Sequence, residues 1–509
     1  MRAQFFSRST LVALLFCMAA CLPNRPYRLG DRAVEHGIAG NQNYGLAYIE
    51  FDEQGDFWNR DQLKRAVDLV KTTSKPLLVV YVHGWQNNAS DASNDVPQFH
   101  RVLEKLAQTD EVPKQGYQVV GVYLGWRGKQ AYDPFLKIVS FPNRKDAAVR
   151  IGSSNTITEA IFRVVYEARR RTGARTILIG HSFGALVVER AVEQAMTAGV
   201  LSGSPVMPAD LVLLINSAAE SIYAKEMRDM MVSTLHLETG QKCYQREGDP
   251  GCYMKDEPRI ISVTSETDQA TGVAFPVGAT LFGVGKLYRN YDAPDGGQIN
   301  QRLFFTHTPG HNDRLLDHAI EPLAINHPTP TRSRAFEENL EFPQALPSSG
   351  ADEQATPIFA TGGELTEAGT TTPWRWWQID YTGSATQRSA FWIVKVPKEI
   401  LNGHGDIFNP NAIDMMAALF RSSNALNLSN APAPAIKVKS EPAVVGQPLG
   451  EAQPLAAPAT LPNESRTVTN VSSSPVAQAA APAKKHAKKV RKRRPRSPFL
   501  RLKDRKVVK

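Results

Sequence analysis

The run Thr176-Ile177-Leu178-Ile179-Gly180-His181-Ser182-Phe183-Gly184-Ala185-Leu186 constrains this chain more than any other stretch. It reads as a short apolar strand, a reversal with glycine on both shoulders, and the start of a helix. Gly180 and Gly184 remove the Cβ atoms that would obstruct so tight a turn. A serine at the tip of such a turn is held in place, and its hydroxyl is open to a neighbouring base. The five-residue Gly-x-Ser-x-Gly pattern alone arises by chance; the strand before it and the helix after it make it informative.

The surrounding sequence repeats the same alternation. Near-continuous apolar runs at 46–51, 77–82, 118–124, 176–179, 211–215, 260–264 and 391–396 predict strands buried on both faces. Amphipathic stretches at 60–72, 96–108, 158–171 and 186–198 predict helices between them. The fold class is therefore α/β, a mostly parallel sheet flanked by helices, spanning 46–421. At 509 residues the chain exceeds what one core usually organises. The excess falls at the ends: a signal peptide at 1–20, a tether at 21–45, an Ala- and Pro-rich linker at 422–483 and a basic tail at 484–509.

Arg2 and Arg8 precede an apolar run, Leu11 to Ala20, that is too short to cross a bilayer and predicts export. Met18-Ala19-Ala20-Cys21 resembles the lipobox of bacterial lipoproteins, which implies lipid attachment at Cys21, although Met18 stands where leucine is usual. The competing reading, a plain cleaved signal, would put bulky Met18 where a small residue is preferred. Leu22 rather than aspartate after the cysteine favours an outer membrane, periplasmic side, in a Gram-negative cell. Export makes a disulfide between Cys243 and Cys252 the expected state, with two free thiols as the alternative. No metal site is expected, since no second cysteine or histidine pair stands nearby at ligand spacing.

The net charge of +9 hides a strong asymmetry: residues 484–509 hold fourteen Lys or Arg against Asp504 alone, a charge of +13 that leaves −4 for the rest. Such a tail cannot bury a core and offers a cation to an anionic envelope surface. In an exported chain no nucleic acid partner is expected. A solvated tail that aids solubility is the plainer alternative.

With the turn around Ser182 in view, a second element acquires meaning. The strand at 77–82 runs directly into His83-Gly84-Trp85-Gln86-Asn87-Asn88. A strand–Gly-x-Ser-x-Gly–helix unit preceded by a strand–His-Gly loop resembles the α/β-hydrolase family, of esterase and lipase type, over about residues 46–421. The resemblance implies Ser182 as nucleophile, with backbone amides of Phe183 and Trp85 forming an oxyanion hole. His83 is expected to pack beneath its loop. Family order places an acid and then a histidine after the serine, each following a strand. Asp268, after the strand at 260–264, is favoured as the acid over Glu220. His404, in Asn402-Gly403-His404-Gly405-Asp406 after the strand at 391–396, is favoured as the base over His311, with His307, His318 and His327 also downstream.

One departure from a minimal member is the long stretch between Asp268 and His404. It predicts an insertion before the last strand, containing an apolar segment at 271–287 and a hairpin in which Trp377, Ile379 and Tyr381 lie opposite the strand at 391–396. A lid or pocket wall and a simple extension of the sheet are both open readings. The expected activity is cleavage of a small-molecule or lipid carboxylic ester through an acyl-enzyme, with no cofactor. The rival is a catalytically idle scaffold of the same fold.

Overall fold

A computed structural model describes residues 24–422 except 110, 130–133, 203–206, 235–242, 246–251, 255–257, 284, 293–297, 324–357, 362–374 and 383–388. The expectations for the signal peptide, Cys21, the linker, the basic tail and His327 lie outside these residues. No described helix is long and apolar enough to cross a membrane.

An eleven-stranded sheet forms the centre, in the spatial order β1-β2-β4-β3-β5-β6-β9-β15-β12-β14-β13. The strands are β1 (Val34–Ala39), β2 (Gln42–Glu50), β3 (Pro76–Val82), β4 (Gln118–Gly125), β5 (Arg175–His181), β6 (Leu211–Ile215), β9 (Ile260–Ser265), β12 (His318–Pro322), β13 (Ile358–Thr361), β14 (Arg375–Tyr381) and β15 (Phe391–Val396). All strands from β2 to β12 in that order pair in parallel, with β1 antiparallel at one margin and β14 and then β13, each antiparallel to its neighbour, at the other. The short β7 (Cys243–Gln245) and β8 (Cys252–Met254), and β10 (Asn290–Asp292) and β11 (Gln298–Asn300), form two separate ribbons.

The apolar runs become strands because both faces are covered. In β3 all seven residues are buried; Leu78, Val80 and Val82 face one core and Leu77, Val79 and Tyr81 the other. Burying each such side chain contributes roughly 1.5–3 kcal/mol, which offsets the cost of ordering the strand. Helices α1 (Arg60–Thr72), α3 (Pro134–Gly152), α4 (Asn155–Arg169), α5 (Phe183–Leu201) and α6 (Ser221–Thr234) cover the first face, with α2 (Asp95–Gln108) and α8 (Pro410–Ser422) on the second. A further helix, α7 (Phe275–Phe282), follows β9. The architecture is α/β, a mostly parallel sheet flanked by helices on both faces.

Two expectations need correction. The sheet begins at Val34 rather than near residue 46, because a turn with Gly40 at φ +60° returns β1 onto β2 within the stretch read as a tether. β14, which carries Trp377 and Ile379, does not face β15. β12 lies between them, parallel to β15 and antiparallel to β14. The reason is Asp317, whose carboxylate accepts from Ile393 N at 2.8 Å and pairs with Arg228, so that β12 is locked beside β15. In the ribbon β7–β8, Cys243 pairs with Met254 and Cys252 with Gln245; the cysteine side chains lie outside the described residues.

Candidate active site

Side chains at the carboxyl ends of β3, β5, β6, β9 and β15 converge, as parallel sheets of this kind place their ligand crevice. Ser182 sits between β5 and α5 with φ +56° and ψ −121°, a conformation that costs a non-glycine residue about 1–3 kcal/mol. Its amide donates to Ile215 O at 3.0 Å, and its carbonyl accepts from Ala185 and Ala218, so both flanking elements hold the turn. A Cβ on Gly184 would lie 2.1 Å from Val82 O, and one on Gly180 would lie 2.5 Å from Ala185 Cα. Both glycines are therefore required by close approach.

Three of the expected side chains form one hydrogen-bonded chain. Ser182 Oγ donates to His404 Nε2 at 2.7 Å, and His404 Nδ1 donates to Asp268 Oδ2 at 2.9 Å. Asp268 is buried, and it also accepts from Ala270 N at 2.9 Å and from Thr271 N at 3.2 Å and Oγ1 at 2.5 Å. Burial pushes its carboxyl up, but the bonds and charge from His404 and Thr271 outweigh this and hold it below the usual carboxylate range. The anion at Asp268 favours the His404 tautomer that leaves Nε2 free to accept a proton from Ser182.

The alternatives are placed elsewhere. The Glu220 carboxylate pairs with Lys145 Nζ at 2.6 Å. The His311 ring packs against Gly272, where a Cβ would come within 2.8 Å of it, and among the described residues no hydrogen bond joins it to Ser182. Burial, then the nearby charge of Lys395, pushes the His311 imidazole down to about 4. His307 bonds Thr306 and His318 bonds Asp317, each through Nδ1.

The loop before α2 approaches the serine from the other side. A Cβ on Gly84 would lie 2.8 Å from Ser182 Cβ, which measures how closely the Gly84–Trp85 backbone passes. His83 fastens this loop from beneath: Nδ1 donates to Gly84 O at 2.9 Å, Nε2 accepts from Trp126 N at 3.0 Å, and its ring stacks on Trp126 with an interplanar angle of 3°. Burial holds its imidazole down at about 4, so it stays neutral. Phe183 occupies the first position of α5, where amides have no acceptor within the helix and the helix dipole favours negative charge. Around these two backbones, Phe141 of α3 packs its ring 5.3 Å from Trp85 and 5.1 Å from Phe183, forming an apolar wall.

Sequence reasoning missed the residues that hold the histidine loop. Asn216, fully buried at the end of β6 with φ +47°, donates from Nδ2 to Gly403 O at 3.0 Å and His404 O at 2.9 Å, and accepts Ser265 N at 2.9 Å. His181 Nε2 also donates to His404 O at 2.9 Å; burial first, and then the charge of His404, push its imidazole down to about 3. Gly403 N donates to Ser265 Oγ and Thr267 Oγ1. The place of Asn216 directly after the apolar run 211–215 was visible in the sequence, but the partners of its amide were not.

No protein-family model matches this chain, and no curated protein matches it. Among solved structures, an inhibited esterase B from Lactobacillus rhamnosis is 14% identical, covers 56% of this chain and 79% of its own, and superposes with a TM-score of 0.20. A tributyrin phosphonate complex of the same esterase is 15% identical, covers 52% and 74%, and gives a TM-score of 0.19. Likeness of this degree says nothing about reaction chemistry, which rests on the side chains themselves.

Proposed function

We propose that this chain is a serine hydrolase that cleaves carboxylic esters through an acyl-enzyme on Ser182. The observation that carries the reading is the continuous chain from Ser182 Oγ through His404 to Asp268, with spacings of 2.7 and 2.9 Å. His404 Nε2 takes the hydroxyl proton as Ser182 Oγ attacks the ester carbonyl; the resulting oxyanion is met by the amides of Phe183 and Trp85. The proton then passes from His404 to the departing alkoxide. Water, deprotonated by the same nitrogen, attacks the acyl-serine, releasing the carboxylic acid and restoring the hydroxyl.

The wall of Trp85, Phe141 and Phe183 beside those amides suits an apolar acyl chain. Attachment through a lipidated Cys21, with the basic tail against an anionic envelope surface, would place the enzyme among membrane-borne esters. The strain held at Ser182 argues against an idle scaffold, which has no use for it.

Turnover of para-nitrophenyl esters of increasing acyl length tests this reading. Ser182→Ala and His404→Ala should lower kcat by about 10⁴-fold or more, and Asp268→Asn by a similar order through loss of the required tautomer. Undiminished turnover by folded Ser182→Ala would refute it.

A further inference from the structure

The segment directly after Asp268 exposes apolar side chains in a regular pattern. Val273, Val277 and Leu281 are 60%, 54% and 64% exposed, and Leu287 is 97% exposed. They are four of the nine exposed large hydrophobic residues among the described ones, gathered within fifteen positions. Spacing by four puts the first three on one helical face. The opposite side is anchored: Thr271 and Phe275 are buried, Ala279 packs against the core, and Lys145 Nζ lies 4.3 Å over the Phe275 ring. The stripe is thus presented outward by a docked helix.

Charge around the stripe is one-sided. From Ala270 to Tyr291 the sequence contains no acidic residue, and its two charged residues are Lys286 and Arg289, both exposed. Arg302, also exposed, brings a third cation to the same end, donating from Nη2 to Thr280 Oγ1 at 3.3 Å. An apolar face rimmed by cations complements an anionic lipid surface, where aliphatic side chains enter the acyl boundary and cations meet phosphates. A second copy on this face would set like charges against each other, and a polar protein surface would leave the aliphatic groups unmatched.

We propose that the segment Ala270–Arg289 is a docking surface for anionic phospholipid bilayers. A π-helical turn, Ala270–Ala274, begins two residues after Asp268 and runs directly into α7; the Asp268 carboxylate accepts the amides of Ala270 and Thr271 at its start. Docking therefore holds the turn that Asp268 caps close to the lipid surface. The inference goes beyond the hydrolase reading and does not use Ser182.

Hydrogen exchange of the full chain, with and without vesicles of phosphatidylcholine and phosphatidylglycerol, reads this segment separately from the two chain ends. The amides of 270–289 should exchange more slowly with vesicles, and Val277→Asp combined with Leu281→Asp should remove that protection. Lys286→Glu with Arg289→Glu should weaken binding to the anionic vesicles on the order of tenfold and leave pure phosphatidylcholine little affected. A Ser182→Ala chain should be protected like the parent, which separates this inference from the catalytic one. Exchange at 270–289 unchanged by vesicles, protection that survives the double Asp variant, or protection that grows with protein concentration in lipid-free buffer would each overturn it.

Discussion

Ser182, Gln86 and Asn216 are the non-glycine residues with positive φ among those described, and Asn216 holds the partner that makes the strain at Ser182 useful. Its Nδ2 ties the carbonyls of Gly403 and His404 to the end of β6, so loss of that amide removes two of the bonds that hold the loop carrying the imidazole and leaves those from His181, Ser265 and Thr267. Asn216→Ala should lower kcat about 10–100-fold with little change in KM, because a positioning contact acts on the reacting geometry rather than on substrate binding. Equal kcat in a folded variant would remove Asn216 from this role. The meeting of Ser182, Asp268 and His404 was legible because each lies in a loop after a strand and the resemblance implies the order serine, acid, histidine along the chain. Asn216 and His181 were not, since their bonds go to backbone atoms of a loop about two hundred residues away, and no local pattern encodes such a bond.

At the scale of elements, the turn between β5 and α5 exists because neither glycine has a side chain. Gly184→Ala should cost about 3 kcal/mol or more, read from the urea midpoint, since the new methyl meets the rigid backbone of β3. An unchanged midpoint would show that β3 can retreat. Deeper in α5, Glu189 is fully buried and accepts Ser217 Oγ at 3.1 Å; burial pushes its carboxyl from 4.5 up to about 8. A raised folded-state value means that the contribution to stability is complete below about pH 4.5 and lost as pH rises through about 8. Glu189→Gln should therefore flatten the decline in Tm across that window, gaining on the order of 3 kcal/mol over the parent at its alkaline end; parallel Tm profiles would contradict this. The central strands were legible for the reason that they are buried on both faces. β12 was not, because His318-Ala319-Ile320-Glu321-Pro322 is short and polar and is held by Asp317 rather than by its own pattern.

For the whole molecule, the proposed attachment to a membrane draws on three features: the cysteine at 21, the apolar stripe after Asp268 and the +13 tail. The readings of the two ends rest on sequence alone and lie outside the described residues, whereas the stripe required the fold to show which face of an apolar segment remains uncovered. Deleting residues 484–509 should weaken binding to anionic vesicles at low salt and leave the residual binding less sensitive to salt. Unchanged binding would assign the tail to solubility. The central claim concerns one hydroxyl, and a fluorophosphonate probe reads it directly by peptide mass. One covalent adduct is expected on Ser182, lost in Ser182→Ala and strongly slowed in His404→Ala; a folded chain that stays unlabelled, or an adduct that persists in Ser182→Ala, would contradict a nucleophilic Ser182.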